Sequence, residues 1–365
     1  MLQQLPSKTE MERATFARNA SYDGLFYVCV RSTGIFCRPS CPARKPLPCN
    51  VDYHATIRDC LRAGFRPCKR CRPLAAAGEA PDWLVPLLSR VEKAPTERIT
   101  NTNLRDMGAD PDRVRRYFQR HFGLTFQAYH RMARMGLAIE FLRRGDDPLH
   151  VAYDLGYDSP SGFRAAFEKT FGTTPGKCDH VQLIQTTTIP TPIGPMLAAA
   201  GDRGLCLLEF ADRRALPRQI AMLRRRTGGG VFVPGTNPFL RQLRVELNEY
   251  FAGKRQDFPV ACHPLGTNFQ MKVWAKLCEI PCGTTWSYRD LARAIGQPTA
   301  CRAVARANGD NRLAILIPCH RVVRDNGTLC GYGGGLWRKQ FLLDLEGNAA
   351  NADRRCTRQL QMFST

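Results

Sequence analysis

Acidic residues are scarce in this chain of 365 residues. Only 32 Asp and Glu stand against 53 Lys and Arg, a formal net charge of +21 with a pI near 9.7. A surplus of that size implies a polyanionic partner, either nucleic acid or an acidic membrane surface. Long apolar runs are missing as well, so no membrane-spanning segment is expected. The first residues lack the charged-then-apolar pattern of a secretory leader, and a soluble cytoplasmic protein is expected. In that reducing compartment sixteen cysteines are not a disulfide framework, which leaves metal ligation or thiol chemistry.

The charge is uneven. Residues 1–78 carry thirteen Lys and Arg against five acids, 79–180 fifteen against fourteen, and 181–365 twenty-five against thirteen. The ends are strongly basic and the middle is balanced, so a middle segment that binds DNA does so with a few placed arginines.

Two close cysteine pairs, Cys37-x3-Cys41 and Cys68-x2-Cys71, have zinc spacing. A tetrahedral Zn2+ takes four thiolates, and short pairs supply them from tight turns. Cys29, Cys49 and Cys60 are left as non-ligands. Further on, Asp82 is placed to cap a helix carrying Trp83, Leu84, Leu87 and Leu88. Asp110 as cap, Pro111 as first residue and Gly123 as stop delimit another, with Val114, Tyr117 and Phe118 inward and Arg113, Arg116 and Arg120 outward. The pattern recurs at Val151–Pro175, where Phe163, Phe167 and Phe171 share a buried face. Helix, short turn, helix with exposed basic residues is a helix-turn-helix, and two in tandem suit adjacent major-groove sites. Periodicity alone equally describes helical hairpins packed on each other. Arg113, Arg116, Ser161 and Arg164 are base-reading candidates by position only.

Short strands are expected within 186–201 and 204–210, and helices near 212–226 and 237–252; this part is read as scaffold without chemistry. Thr267 with Gln270, Ser287 with Asp290, and Thr299 are expected to cap three further helices, the second ended by Gly296. They lead to Ile315-Leu316-Ile317-Pro318-Cys319-His320-Arg321-Val322-Val323, which reads as a buried strand bent at Pro318 so that a thiol projects beside a base. The tetrapeptide by itself is equally a core cysteine next to a chance histidine.

Longer stretches carry resemblances. Residues Asp23–Tyr27, Val30–Cys41 and Gly64–Cys71 resemble the N-terminal domain of the bacterial adaptive-response (Ada) family. That resemblance implies that Cys37 is both zinc ligand and acceptor of a methyl group from a DNA methylphosphotriester, with Arg44 and Arg66 among the basic residues facing phosphate. The second helical unit is similar to the AraC-type regulator signature. Ile280–Gly283, Trp286–Tyr288, Arg302–Val304, Asn311, Ile315–Val323, Gly331-Tyr332 and Leu345–Gly347 together resemble the O6-alkylguanine-DNA alkyltransferase family. By position, Cys319 is then the acceptor of the alkyl group of O6-methylguanine and also of O4-methylthymine. His320 is its base through a water, Glu346 polarises His320, and Asn311 is a hinge residue. Arg302 fills the gap left by a flipped nucleotide and Tyr288 presses on its phosphate.

The expected fold class is multidomain α+β. A small zinc-stapled four-cysteine module (1–78) precedes an all-α double helix-turn-helix domain (79–180). An α/β, ribonuclease H-like subdomain (181–263) and a winged-helix-like alkyltransferase domain (264–350) follow, with a tail at 351–365. The resemblances imply one Zn2+, double-stranded DNA both damaged and promoter, RNA polymerase as a further partner, no membrane, a monomer, and a nucleoid-associated location. Two competing readings are a transcription factor with relic transferase sites and a zinc-bound architectural DNA protein. Neither requires the full set of Cys319, His320, Asn311 and Glu346. Cys282, Cys301 and Cys330 near the second site are bystanders or secondary alkylation targets.

Overall fold

The computed structural model describes residues 5–74, 83–94, 96–122 and 124–347. The expected cap Asp82, the stop Gly123 and the tail 351–365 lie outside the described residues, as does the side chain of Arg120. The expected architecture is present from end to end. A small sheet comes first, then a run of helices, then a second sheet with its own helices.

In the N-terminal module, strands Tyr27–Val30 and Ile35–Cys37 form an antiparallel hairpin closed by Gly34 at φ +63°. Val51–His54 pairs on one side, and Arg66–Pro67 runs parallel to Ile35–Cys37 on the other. The register Phe36↔Pro67 sets Cys37 and Cys68 side by side, each one residue past a paired position. Beneath the strands, Phe26, Phe36 and Cys29 are fully buried, a core too small to hold a domain without a staple.

The middle helices are placed by their caps. Thr100 and Asn103 make a capping box for Asn101–Asp106, and the Asp110 carboxylate accepts the Arg113 N–H at 2.7 Å at the start of Pro111–Phe122. Asp147 and Ser159 cap Pro148–Asp154 and Pro160–Phe171, and Gly172 ends the latter in the left-handed conformation. Phe163 and Phe167 are buried as their spacing requires. The 18-residue helix Phe126–Arg143 serves two cores. Ala133 joins Val114 and Phe118 of the first unit, while Met135, Ala138 and Ile139 join Phe163 and Phe167 of the second.

That second core does not stop at residue 180. Leu183 and Val233 belong to it, so the helix packs on the edge of the next sheet. Gly136 permits the approach, since a Cβ there would lie 2.8 Å from Val233 Cγ2.

The second sheet has the order Gly204–Phe210, Met196–Gly201, Leu183–Ile189, Val231–Pro234, with the last strand parallel to its neighbour. Helices Leu216–Arg226 and Pro238–Phe251 flank it. Helices Asn268–Cys278, Tyr288–Ala294 and Cys301–Gly309 form the next compact unit, and a helix over 336–347 closes it. The capping boxes Thr267/Gln270 and Ser287/Asp290 are both made, and Gly296 ends the second helix at φ +74°. Thr299 does not cap the third: a turn from Gln297 to Ala300 moves the start on, with Ala300 at the N-cap and no side-chain cap bond.

The segment around Cys319 is not the strand bent at Pro318 that its apolar residues imply; the extended run before the proline is missing as well. Ile315 takes φ +74°, Ala314 bridges back to Ile317, and Cys319–Arg321 is a single 3-10 turn; only Val322–Val323 is extended, parallel to Trp286–Ser287. Side-chain hydrogen bonding overrides strand propensity here. The Asn311 amide takes the Leu313 N–H and the Ile317 carbonyl that a sheet would otherwise use. Leu208 of the central sheet pairs with this segment instead, receiving Ala314 N–H at 2.8 Å and donating to Arg312 O at 2.7 Å.

Candidate active sites and nucleic-acid interface

The four cysteines of the N-terminal module converge. Their Sγ atoms all lie within 4.8 Å of one another, and Cys41 and Cys68 are 3.9 Å apart. Tetrahedral zinc with Zn–S near 2.3 Å sets sulfurs about 3.8 Å apart, so the donor set fits one zinc ion. The thiols are too close to ionise together without a cation. A hydrogen bond from Cys37 pulls Cys71 down to about 5, and the same bond drives Cys37 far up. Cys29 and Cys60 stand apart as a buried thiol pair at 3.4 Å. The loop between Cys37 and Cys41 is held by Asp23, whose carboxylate accepts from Ser40 N–H at 3.0 Å and from its hydroxyl. Sequence reading missed that clamp.

The basic surface around this cluster is thinner than the count suggested. Arg31 is tied to Asp52 and to the Cys49 carbonyl, and Lys45 donates to the Phe16 carbonyl. Arg44 and Arg66 are exposed. Replacing Cys41 by serine, or chelating the metal, is expected to unfold this module while leaving the Cys319 half folded; zinc content and limited proteolysis check this.

In the helical region Arg113, Arg116, Ser161 and Arg164 are exposed, as position implied. Arg113 lies over the Trp83 ring at 4.6 Å and Arg164 pairs with Glu168 at 2.9 Å. A groove of about 780 Å3 between the two units is lined by Arg98, Arg131 and Arg134, residues that sequence reading did not single out.

At the second site the turn brings four predicted residues together. Asn311 Nδ2 donates to Cys319 Sγ at 3.1 Å and to the Ile317 carbonyl at 2.8 Å. His320 Nε2 and Glu346 Oε1 are 2.8 Å apart, both side chains almost fully enclosed. Glu346 also accepts from Arg321 Nε at 2.8 Å and from the Tyr250 hydroxyl at 2.9 Å. Burial alone would raise the Glu346 carboxyl, but hydrogen bonds from His320 and Arg321 and the charge of Arg321 hold it well below the usual carboxylate range. Burial pushes His320 down against the pull of Glu346, so the pair is a carboxylate and a neutral imidazole. Nε2 then carries the proton that Glu346 accepts. Nδ1, buried and without a hydrogen-bond partner among the described residues, keeps its lone pair for a base's work.

Burial raises the Cys319 thiol, while Asn311 and then Arg213 draw it down. The cavity beside it measures about 10 Å3, room for roughly one water. Its lining includes Cys319, Asn311 and Tyr332 and does not include His320, so it does not bear on the expected water link between thiol and imidazole; the two side chains sit in a turn and not on opposite faces of a strand. Tyr288 is half-buried against Asn308 and Cys330, and burial raises its hydroxyl. Arg302 is exposed at the start of the Cys301–Gly309 helix, whose Val304 and Ala307 face the core.

Comparison with known proteins gives four matches in chain order. Residues 10–73 match the metal binding domain of Ada and 104–179 a helix-turn-helix domain. Residues 184–262 and 268–348 match the ribonuclease-like and DNA binding domains of 6-O-methylguanine DNA methyltransferase. The bifunctional transcriptional activator/DNA repair enzyme Ada of Escherichia coli is 36% identical over 352 residues, covering 94% of this chain and 96% of that protein. A methylated-DNA–protein-cysteine methyltransferase of Methanosarcina barkeri is 42% identical over 164 residues, 44% of this chain and 95% of its own length. The crystal structure of Mycobacterium tuberculosis O6-methylguanine methyltransferase is 39% identical, covers 46% of this chain and 94% of that one, and has a TM-score of 0.40. With a zinc-type cysteine cluster, paired helical units and a thiol–imidazole–carboxylate site in the same order, and with a relative matched over nearly the whole of both chains, this chain belongs to the Ada family.

Proposed function

We propose that the protein repairs alkylated DNA by moving methyl groups irreversibly onto two of its own cysteines, and that one transfer turns it into a transcriptional activator. The observation that carries this is the Asn311–Cys319 and His320–Glu346 constellation, a thiol beside a neutral base whose tautomer is fixed. Cys319 Sγ attacks the methyl carbon of O6-methylguanine. The S–C bond forms as the C–O6 bond breaks, the electron pair goes to the guanine, and the thiol proton passes by His320 Nδ1 and a water to the departing base. O4-methylthymine is a second substrate of the same chemistry. The reaction needs a flipped nucleotide, because the O6 atom of a stacked base cannot reach a buried thiol; Arg302 fills the gap and Tyr288 turns the phosphate. The thioether has no second nucleophile to remove it, so each site acts once.

Cys37, Cys41, Cys68 and Cys71 hold the zinc ion, which keeps its thiolates deprotonated and nucleophilic at neutral pH. Cys37 accepts the methyl of a phosphotriester: the S–C bond forms as the methyl C–O bond breaks, and the electron pair leaves with the phosphodiester anion. Four thiolates around Zn2+ leave about two net negative charges, and methylation removes about one, so Arg44 and Arg66 then attract phosphate with less opposition. The two helical units carry the methylated protein to promoter DNA, where it recruits RNA polymerase as a monomer in the cytoplasmic nucleoid. The working division is 1–78, 79–180, 181–263 and 264–350. Alanine at Arg116 is expected to weaken promoter binding and to flatten log Kd against log salt by about one unit, as loss of a phosphate contact does.

The test of the whole reading is stoichiometry. Duplex DNA carrying labelled O6-methylguanine and labelled methylphosphotriester is expected to transfer at most one methyl per site, with no turnover at excess DNA. Continued turnover, or no transfer, overturns it.

A further inference from the structure

The small α/β subdomain was read as scaffold, yet it sends two charged residues to the wall of the Cys319 cavity. Glu209 lies in the fully buried strand Gly204–Phe210 and is 0% exposed. A carboxylate is retained in such a place only when its oxygens are well occupied. Here Arg213 pairs with Oε2, Gln219 donates to it at 3.3 Å, and the Phe210 N–H donates to Oε1 at 2.9 Å. The rest of the Arg213 fork points out of the subdomain. Nη2 donates to the Gly309 carbonyl at 2.7 Å, the Nη1 that pairs with Glu209 also reaches the Asn311 carbonyl at 3.4 Å, and Gln219 reaches the same Asn311 carbonyl at 3.5 Å.

Asn311 is the residue whose amide bonds Cys319 Sγ, so one residue separates this ion pair from the nucleophile. Glu209, Arg213, Asn308, Asn311, Cys319 and Tyr332 line one cavity. The facing loop makes room for the guanidinium: a Cβ on Gly333 would lie 2.3 Å from Arg213 Cζ.

We propose that Arg213, anchored by Glu209, is a positioning residue of the alkyl-transfer site, fixing Asn311 from behind and setting a guanidinium against the Cys319 cavity. This rests on the reading of Cys319 as the acceptor. Two effects follow from one side chain. The fork bonds the backbone carbonyl of the residue whose amide reaches sulfur, and its positive charge, opposed in part by the Glu209 carboxylate, favours the thiolate over the thiol as well as the departing, electron-rich base. The charged and titratable groups around Cys319 are Arg213 and Glu209 from the subdomain, Lys339 from the closing helix, His320 beside it, and the Tyr288 and Tyr332 hydroxyls. Of these, Arg213 is the cation attached to Asn311.

The experiment is single-turnover methyl transfer from O6-methylguanine duplex to the full-length zinc protein, measured against pH, with duplex Kd and circular dichroism for each variant. Arg213→Gln is expected to slow transfer roughly 10- to 100-fold, the scale of a misplaced reacting group. Its duplex affinity stays unchanged and its rate–pH profile moves to higher pH. Arg213→Lys keeps the charge and loses the fork, so its rate falls while its profile stays near that of the unaltered protein. Gly333→Ala, which displaces the guanidinium, moves the profile in the same direction as Arg213→Gln and carries the test if that variant does not fold. A folded Arg213→Gln that reacts at the original rate, or that slows without any shift in profile, overturns the proposal. Failure of the unaltered protein to methylate Cys319 would instead reject the underlying functional reading.

Discussion

Cys319→Ser accepts no measurable methyl from O6-methylguanine and still accepts one at Cys37. The fold gives serine every chance, since Asn311 Nδ2 can bond a hydroxyl as it bonds Sγ, and the 3-10 turn is set by backbone and by Asn311. Chemistry decides the outcome. A hydroxyl is far less acidic than a thiol and its oxygen is a poor nucleophile toward a saturated carbon, so loss of rate on the order of 10⁶-fold is expected, the scale of removing a nucleophile outright. The zinc cluster stands on other residues and other elements, so phosphotriester repair persists. Two labelled substrates assayed separately check both halves. Transfer from O6-methylguanine that persists in Cys319→Ser would mean that another thiol, such as Cys282 or Cys330, had been the acceptor.

Glu346→Gln carries the second large effect, on stability and rate together. Glu346 accepts from His320, from two nitrogens of Arg321 and from Tyr250, all with little or no exposure. A glutamine offers one acceptor oxygen and turns an NH2 toward donors, leaving Arg321 buried without its counter-charge. Breaking one side of a buried pair costs about 3–5 kcal/mol. At about 2–4 °C per kcal/mol for a domain of this size, melting of the transferase half falls by roughly 6–20 °C. Transfer slows about 10²- to 10⁴-fold as the imidazole loses its fixed tautomer. Acid has a related effect with a definite sign. The folded pKa of Glu346 is depressed, so its contribution is complete above the unfolded value near ~4.3 and is lost as pH falls below it. His320 is kept neutral by burial, so folding also weakens as pH drops below the unfolded value near ~6.5. Thermal melts from about pH 2.5 to about pH 7 are expected to show this slope in the unaltered protein and a shallower one below about pH 4.5 in Glu346→Gln.

What the sequence made legible was local. Caps at Asp110, Thr267 and Ser287 could be read because each helix start is decided by residues three apart. The zinc cluster could be read because short cysteine pairs admit few other uses. The Cys319 segment could not, since its apolar residues say strand while Asn311, outside the segment, diverts its backbone into a turn. Glu346 is 26 residues from His320, and only the family resemblance connected them. Arg213 and Asn311 are 98 residues apart and belong to different matched domains, so no periodicity or spacing links them. The shared core of the helix Phe126–Arg143 with Leu183 and Val233 was hidden in the same way, by a contact between segments that each look complete alone.

The central claim is that two particular thiols are methyl acceptors for two different lesions. Peptide mass mapping of the zinc protein after reaction with duplex DNA methylated both at guanine O6 and at backbone phosphate tests it most directly. One methyl on the Cys319 peptide and one on the Cys37 peptide is the predicted result, with the other cysteines unmodified. DNA binding with no mass gain on either peptide would contradict the account and leave a regulator whose repair sites do no chemistry.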